Sequence, residues 1–222
     1  MSREHVRPAD IERSSMQIIS GELEQRGILL PPETAPVVKR VIHTTADFDY
    51  AENLVFTPDA VGQGVRALSG GAVIVTDTNM ARAGISRPGL EKLHGQSVCF
   101  MADADVAETA RRRGTTRAAA AMEKAARLHP GAVLAVGNAP TALFQIAEQM
   151  EAGLRPALVI GVPVGFVNVA ESKETIFRLC REKGVPAVVA LGRKGGSGVA
   201  AAICNALIYM AAGLLDPADR SW

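Results

Sequence analysis

The sequence predicts an α/β fold. Its three layers are a mainly parallel sheet with helices on both faces, plus N-terminal helices. Three observations predict it. After residue 70 five short apolar runs recur, at 72–75, 98–101, 132–136, 157–162 and 187–191; continuous runs suit strands buried on both faces. Segments of helical character lie between them, at 105–113, 115–128, 141–152 and 172–183, and this alternation is the signature of a parallel sheet with right-handed crossovers. Loops rich in glycine, amide and hydroxyl groups follow the first, third, fourth and fifth runs. In such sheets ligands sit beyond the C-terminal strand ends, so those four loops form one wide polar pocket.

The N-terminal elements follow from local signals. Pro8-Ala9-Asp10 opens a helix to about Arg26, with Ile11, Ser15, Ile18, Ile19 and Leu23 as its stripe and Gly27 as its C-cap. Pro31-Pro32-Glu33-Thr34 opens a second helix that ends near His43. A polar, acidic linker covers 44–50, and Thr57-Pro58-Asp59 starts a third helix, to about Leu68. The stretch 199–215 is interrupted by Asn205 and falls short of the roughly 20 apolar residues of a membrane span, so it reads as a buried core helix. No internal repeat or linker divides the 222 residues, so 1–222 is one domain, with 1–8 and 214–222 expected to be loose termini.

Composition excludes several functions. The net charge of +1 gives no global field for nucleic acid or membrane, and 4% aromatic residues are too few for base stacking. Cys99, Cys180 and Cys204 are far apart and lack C-x-x-C spacing, which argues against a zinc site or redox pair and for reduced thiols in a cytoplasmic protein. The N-terminal residues contain no apolar core of a signal peptide.

The most informative stretch runs from 187 to 209. An apolar strand breaks into a loop with four glycines and two cations, Arg193 and Lys194, and then enters a long helix with Ser197 as the expected cap. Glycine admits a close ligand, and free N–H groups with the positive dipole end suit an anion. Lys194 precedes the glycine pair, so a Walker A loop fails; Gly196, Gly198 and Ala201 satisfy G-x-G-x-x-A, yet no second strand with an acidic end follows.

Among four histidines His43 stands out. It ends an apolar helix and precedes two threonines. It is either a helix C-terminal histidine or a general acid, since histidine titrates near neutrality. His43, Asp47, Asp49 and Glu52 fit no standard metal spacing, so an acidic loop is the simpler reading. No G-x-S-x-G elbow supports acyl transfer. Arg111-Arg112-Arg113 reads as a solvated helix end. Arg117 starts a helix after Gly114-Thr115-Thr116, with Thr115 a candidate cap, and is either a surface residue or a cation facing the pocket.

Six ordered blocks together resemble the precorrin-8X methylmutase family and its cobalt-pathway relative, cobalt-precorrin-8 methylmutase. They are RVIHTTADFDY (40–50), TDTNMARAGI (76–85), TTRAAAAME (115–123), GNAPTALF (137–144), GVPVGFVNVAESKE (161–174) and GRKGGSGVAAAICNAL (192–207). Gly198 is one departure, since asparagine is as frequent there. The resemblance implies an isomerase of cobalamin biosynthesis. It would convert precorrin-8X to hydrogenobyrinic acid by moving a methyl group from carbon 11 to carbon 12, with no metal or other cofactor. It also implies a homodimer with its substrate site near the interface, hand-over of tightly bound product to the next enzyme, and a catalytic role for His43 as proton donor to a ring nitrogen. The family's contact on the first helix maps near Gln17. The substrate's carboxylates would meet Arg117, Arg193 and Lys194 and the backbone amides of Gly195, Gly196 and Ser197; Asn79 and Asn138 would bind ring substituents, and Val164 and Phe166 would cover the ring face. Two alternatives remain at this point: the cobalt-containing substrate of the anaerobic pathway, and a non-catalytic tetrapyrrole carrier or nucleotide-binding domain using Gly196, Gly198 and Ala201.

Overall fold

The computed structural model describes residues 7–220. Its centre is a six-stranded sheet: β1 (Leu54–Phe56), β2 (Ile74–Thr76), β3 (Ser97–Val98), β4 (Val133–Val136), β5 (Leu158–Gly161) and β6 (Ala187–Ala190), in the order β1-β6-β5-β4-β2-β3. All neighbours are parallel except β1, which runs antiparallel to β6 with Leu54 opposite Ala190. β1 is an addition to the expected architecture. Three residues cut off by a helical turn, α3 (Tyr50–Asn53), are too few to show a strand period in the sequence.

The five parallel strands are wound doubly. After β2 the chain moves outward to β3, then returns to the other side of β2 to build β4, β5 and β6 in turn. The reversal falls between β2 and β4, and a crevice opens there at the C-terminal strand ends.

Strand residues alternate between two cores, as the two-residue period of a strand requires. Ile74, Val133, Ala135, Leu158, Ile160 and Val188 face one; Val75, Leu134, Val136, Val159, Ala187 and Val189 face the other. The first core holds α1 (Pro8–Gln25), α2 (Ala35–Thr45), α4 (Ala60–Ser69), α5 (Asn79–Gly84), α6 (Arg87–Lys92) and α11 (Ser197–Ala211). The second holds α8 (Arg117–Leu128), α9 (Pro140–Glu151) and α10 (Val169–Lys183), with α7 (Ala104–Arg113) against α8. α11 is apolar all round because it is covered all round: it packs on α2, α4, α5 and the sheet. At Gly84, where α5 crosses it, an added Cβ would lie 2.8 Å from the Ala201 Cβ, so only glycine allows that approach.

The expectation of a loose end from residue 214 is corrected over 214–220. Leu214 is buried, a 3-10 turn covers Pro217–Asp219, and Arg220 is only 8% exposed. The Arg220 guanidinium donates to both Glu12 carboxylate oxygens (2.7 and 2.9 Å) and to the Leu214 and Leu215 carbonyls. It also lies 3.9 Å from the centre of the Tyr209 ring. A charge with this many partners holds the chain end against α1 and α11. At the other end α1 already starts at Pro8, and 1–6 and 221–222 lie outside the described residues. Among the described residues no helix is long and apolar enough to cross a membrane.

Loss of the Arg220 guanidinium leaves the Leu214 and Leu215 carbonyls without this donor and Glu12 paired with Arg40 alone among the described residues. Arg220→Ala is therefore expected to lower unfolding stability by about 3 kcal/mol in urea titration, whereas a loose tail would give no change.

Candidate active site

Asp77 follows β2 directly and is fully buried. Its carboxylate accepts three backbone N–H bonds from the loop after β4: Gly137 (2.9 Å), Asn138 (2.8 Å) and Ala139 (2.8 Å). Burial pushes its pKa up, against the pull of those three amides. The carboxylate thus ties together the two loops that flank the topological reversal. The next layer follows from it. An added Cβ at Gly137 would lie 2.8 Å from the Ser197 Cα and 2.9 Å from the Gly196 carbonyl oxygen, so the post-β4 loop rests directly on the start of α11. Thr78 accepts from the Ala81 N–H as the cap of α5, and its hydroxyl shares a 2.8 Å hydrogen bond with the Ser197 hydroxyl.

The glycine-rich loop after β6 departs from the sequence reading in three respects. The residue before α11 is Gly196, at φ 132°, so Gly196 is the N-cap and Ser197 the first helical residue. The Gly196 N–H donates to the Val162 carbonyl at 2.8 Å and is not available to a ligand. Lys194 is not a free cation either: its ammonium binds Asp47 (2.6 Å) and Asp49 (2.5 Å), which raise its pKa further. This pair latches the acidic linker after α2 onto the loop. Arg193 stays exposed, its guanidinium 5.5 Å from the centre of the Phe166 ring. The Gly195 and Ser197 amides make no backbone hydrogen bond among the described residues.

Packing of α2 along α11 brings His43 to this edge. His43 lies in the last turn of α2, half-buried, and the methyl of the adjacent Thr44 is 3.9 Å from where a Cβ on Gly198 would stand. Burial lowers the His43 pKa below its ordinary 6.5, helped by the Arg40 charge one turn earlier and opposed by Glu12. Behind the histidine, Glu12 binds Arg40 at 2.6 Å as well as Arg220, and the two cations hold its carboxyl below the usual range although burial alone would raise it.

Arg117 reaches the edge from the opposite side. Thr116, not Thr115, caps α8 by accepting from the Ala119 N–H, and its hydroxyl bonds the Thr141 hydroxyl at 2.7 Å. Arg117, Asn79 and Asn138 are exposed, and their side chains form no hydrogen bond among the described residues. Around these polar groups the surface is apolar: Met80, Val164, Phe166 (83% exposed) and Val167 all face outward. Gln17 is exposed on α1, and among the described residues its side chain makes no hydrogen bond. The cavities of 640, 440 and 650 Å³ around Phe56, Asn205 and Arg82 do not include His43 or residues 193–197 in their walls. Among the described residues no cluster of three or more His, Cys, Asp or Glu side chains could hold a metal ion.

Sequence reasoning missed two residues. Asp77 carried a signal, a lone acid between two threonines at the end of an apolar strand. Lys173, fully buried on α10, carried none; its ammonium donates to the Gly192 carbonyl (2.9 Å) and the Lys194 carbonyl (2.7 Å) from beneath the loop.

A doubly wound α/β protein offers its ligand site at the C-terminal strand ends, and here that edge carries a half-buried histidine and exposed cations. Comparison with known proteins gives the family. Residues 10–210 match the family described as precorrin-8X methylmutase. The chain is 43% identical to cobalt-precorrin-8 methylmutase of Salmonella typhimurium, covering 91% of this chain and 95% of that protein. It is 41% identical to precorrin-8X methylmutase of Pseudomonas aeruginosa, covering 89% and 93% respectively. It superposes on the structure of precorrin-8X methylmutase from Thermus thermophilus with a TM-score of 0.81 at 39% identity, covering 91% of this chain and 98% of that one. The chain belongs to the precorrin-8X methylmutase family, isomerases of cobalamin biosynthesis.

Two outcomes follow from this geometry. Asp77→Ala strands three amides, one of them on a buried residue, and is expected to lower stability by about 2–4 kcal/mol by thermal or urea unfolding. His43 is expected to titrate below 6.5 when its ring resonances are followed by NMR. The unfolded chain then binds the proton more readily, so this residue's effect is a loss of stability as pH falls from 6.5 through the lowered midpoint. A midpoint above 6.5 would contradict the assigned surroundings.

Proposed function

We propose that this chain converts precorrin-8X to hydrogenobyrinic acid by migration of a methyl group from carbon 11 to carbon 12, with His43 as proton donor to a ring nitrogen. The observation that carries this reading is the placement of His43, the one titratable imidazole on an edge that also presents Arg117, Arg193 and the first amides of α11. The substrate's carboxylates pair with those cations and with the Gly195 and Ser197 amides; Asn79 and Asn138 bind ring substituents, and Val164 and Phe166 cover the macrocycle face. Of the expected contacts, Gly196 contributes its conformation and not its N–H, and Lys194 acts through its pair with Asp47 and Asp49.

The chemistry asks little of the protein. Substrate and product are isomers, so the proton His43 gives is recovered and no external reactant enters. Positioning and one proton transfer, typically about 10²–10⁴-fold, are the main contributions. Burial and Arg40 keep the free imidazole largely neutral near pH 7; a polycarboxylate beside it offsets the Arg40 charge and favours the protonated donor. Neither metal nor other cofactor takes part in this scheme.

The chain acts in the cytoplasm as a homodimer, and the second protomer closes the edge. Exposed Met80, Phe166 and Val167 around the polar loops support this, as does the exposed Ile18 on α1. The partner's Gln17 then reaches the site that the single chain leaves it outside. The product is held for hand-over to the enzyme that consumes it.

The cobalt-containing substrate is the second reading, because relatives named for it, at 41% and 43% identity, are as similar as a relative named for precorrin-8X, at 41%. Anaerobic incubation with each pigment tests both. The spectrum of hydrogenobyrinic acid appearing from metal-free precorrin-8X supports the first reading; turnover of the cobalt form alone supports the second. Pigment bound without conversion would indicate a carrier. His43→Ala is expected to lower turnover by about 10²–10⁴-fold while pigment affinity changes by no more than a fewfold. Equal loss of both, in a folded variant, would remove the histidine from the chemistry.

A further inference from the structure

Lys173 is a buried cation without a counter-ion. Its side chain is 0% exposed, and its ammonium binds the carbonyls of Gly192 and Lys194. Among the described residues no carboxylate lies within salt-bridge distance of it. The groups around it are accounted for elsewhere. β5 and β6 carry no titratable side chain; on α9, Glu148 accepts from Gln145 and Glu151 holds Lys183. Glu171 and Glu174, on α10 itself, are exposed. The loop above contributes only cations, Arg193 and Lys194, and the second of these is bound to Asp47 and Asp49.

A lone buried charge is costly, and burial lowers the Lys173 pKa from 10.5 to about 8. Its hydrogen bonds also set the direction of two peptide planes. In a trans peptide the N–H points opposite to the C=O. With the Gly192 and Lys194 carbonyls turned down to the ammonium, the Arg193 and Gly195 N–H groups point away from it, on the other side of the loop.

We propose that Lys173 is the positioning residue of the anion cradle: it pins residues 192–194 so that the Arg193 and Gly195 amides face outward, and it supplies the buried positive charge that a ligand carboxylate seated on the loop neutralises. The identity of that ligand as a tetrapyrrole polycarboxylate rests on the function proposed above. The balance is simple. Bound anion raises the proton affinity of Lys173, and by reciprocity the protonated lysine raises the affinity for the anion. A neutral amine keeps two N–H donors for two carbonyls, so deprotonation removes the charge and leaves the loop in place.

Calorimetric binding of hydrogenobyrinic acid from pH 7 to 9.5, in two buffers of different ionisation enthalpy, tests this. For the unmodified protein, affinity is expected to fall about tenfold between pH 7.5 and 9.5, with net proton uptake near pH 8.5. Lys173→Arg stays charged and is expected to bind with no pH dependence over that range. Lys173→Met is expected to bind about tenfold more weakly at pH 7, without proton uptake. Affinity independent of pH and no proton uptake in the unmodified protein, a measurement that requires no variant to fold, would overturn the proposal. So would uptake that persists in folded Lys173→Met. The two readings fail separately: pH-dependent pigment binding without conversion of precorrin-8X removes the isomerase and retains the lysine, whereas conversion with pH-independent binding does the reverse.

Discussion

The carboxylate of Asp77 is the constraint on which the rest of this site depends. A doubly wound sheet leaves a gap where its strand order reverses, here between β2 and β4. The loops on either side carry backbone N–H groups that burial would otherwise orphan. Asp77 leaves the first strand and satisfies three of them on the second. That fixes Gly137 against Gly196 and Ser197, and with them the position at which α11 begins. The Thr78–Ser197 hydroxyl pair closes the same circuit from the other loop. A neutral residue at 77 would leave β2 and β4 paired and the crevice between their ends without a defined shape.

The buried charges share one principle: each is hydrogen-bonded to main chain or to a partner element. Asp77 holds amides, Lys173 holds carbonyls, and Glu12 is held between Arg40 and Arg220, which joins α1, α2 and the chain end behind His43. The charges left at the surface of the edge, Arg117 and Arg193, are the ones with no carboxylate partner among the described residues. A chain with net charge +1 thereby presents a locally cationic rim without a long-range field. Lys194 is the exception among the loop cations, because Asp47 and Asp49 neutralise it and join the linker after α2 to the loop.

Much of this was legible in the sequence, and the parts that were not share a cause. The five parallel strands followed from their continuous apolar runs and α7 to α10 from the segments between them, whereas α5 and α6, six residues each, were too short to show a helical stripe. The edge strand β1 did not, since three residues carry no period and its partner, β6, lies more than a hundred residues away. The glycine-rich loop and His43 stand out in the sequence alone, yet the cap position was off by one residue at Gly196 and again at Thr116, the usual uncertainty of helix ends. Lys173 sits in the run ESKE, which reads as a solvated helix face; only the packing of α10 under the loop turns it inward. The fate of Lys194 was equally hidden, because its partners are 145 and 147 residues distant. Tertiary contact decided each of these, and local pattern does not encode it.

On the proposed function, the edge built on Asp77 binds the macrocycle. A crystal structure of the protein with hydrogenobyrinic acid tests it most directly. Pigment is expected over the C-terminal ends of β2, β4 and β6, with a ring nitrogen within hydrogen-bonding distance of His43 and carboxylates on Arg117, Arg193 and the Gly195 amide. Pigment seated in the 640 Å³ cavity beside Phe56, with His43 remote from the ring, would contradict it.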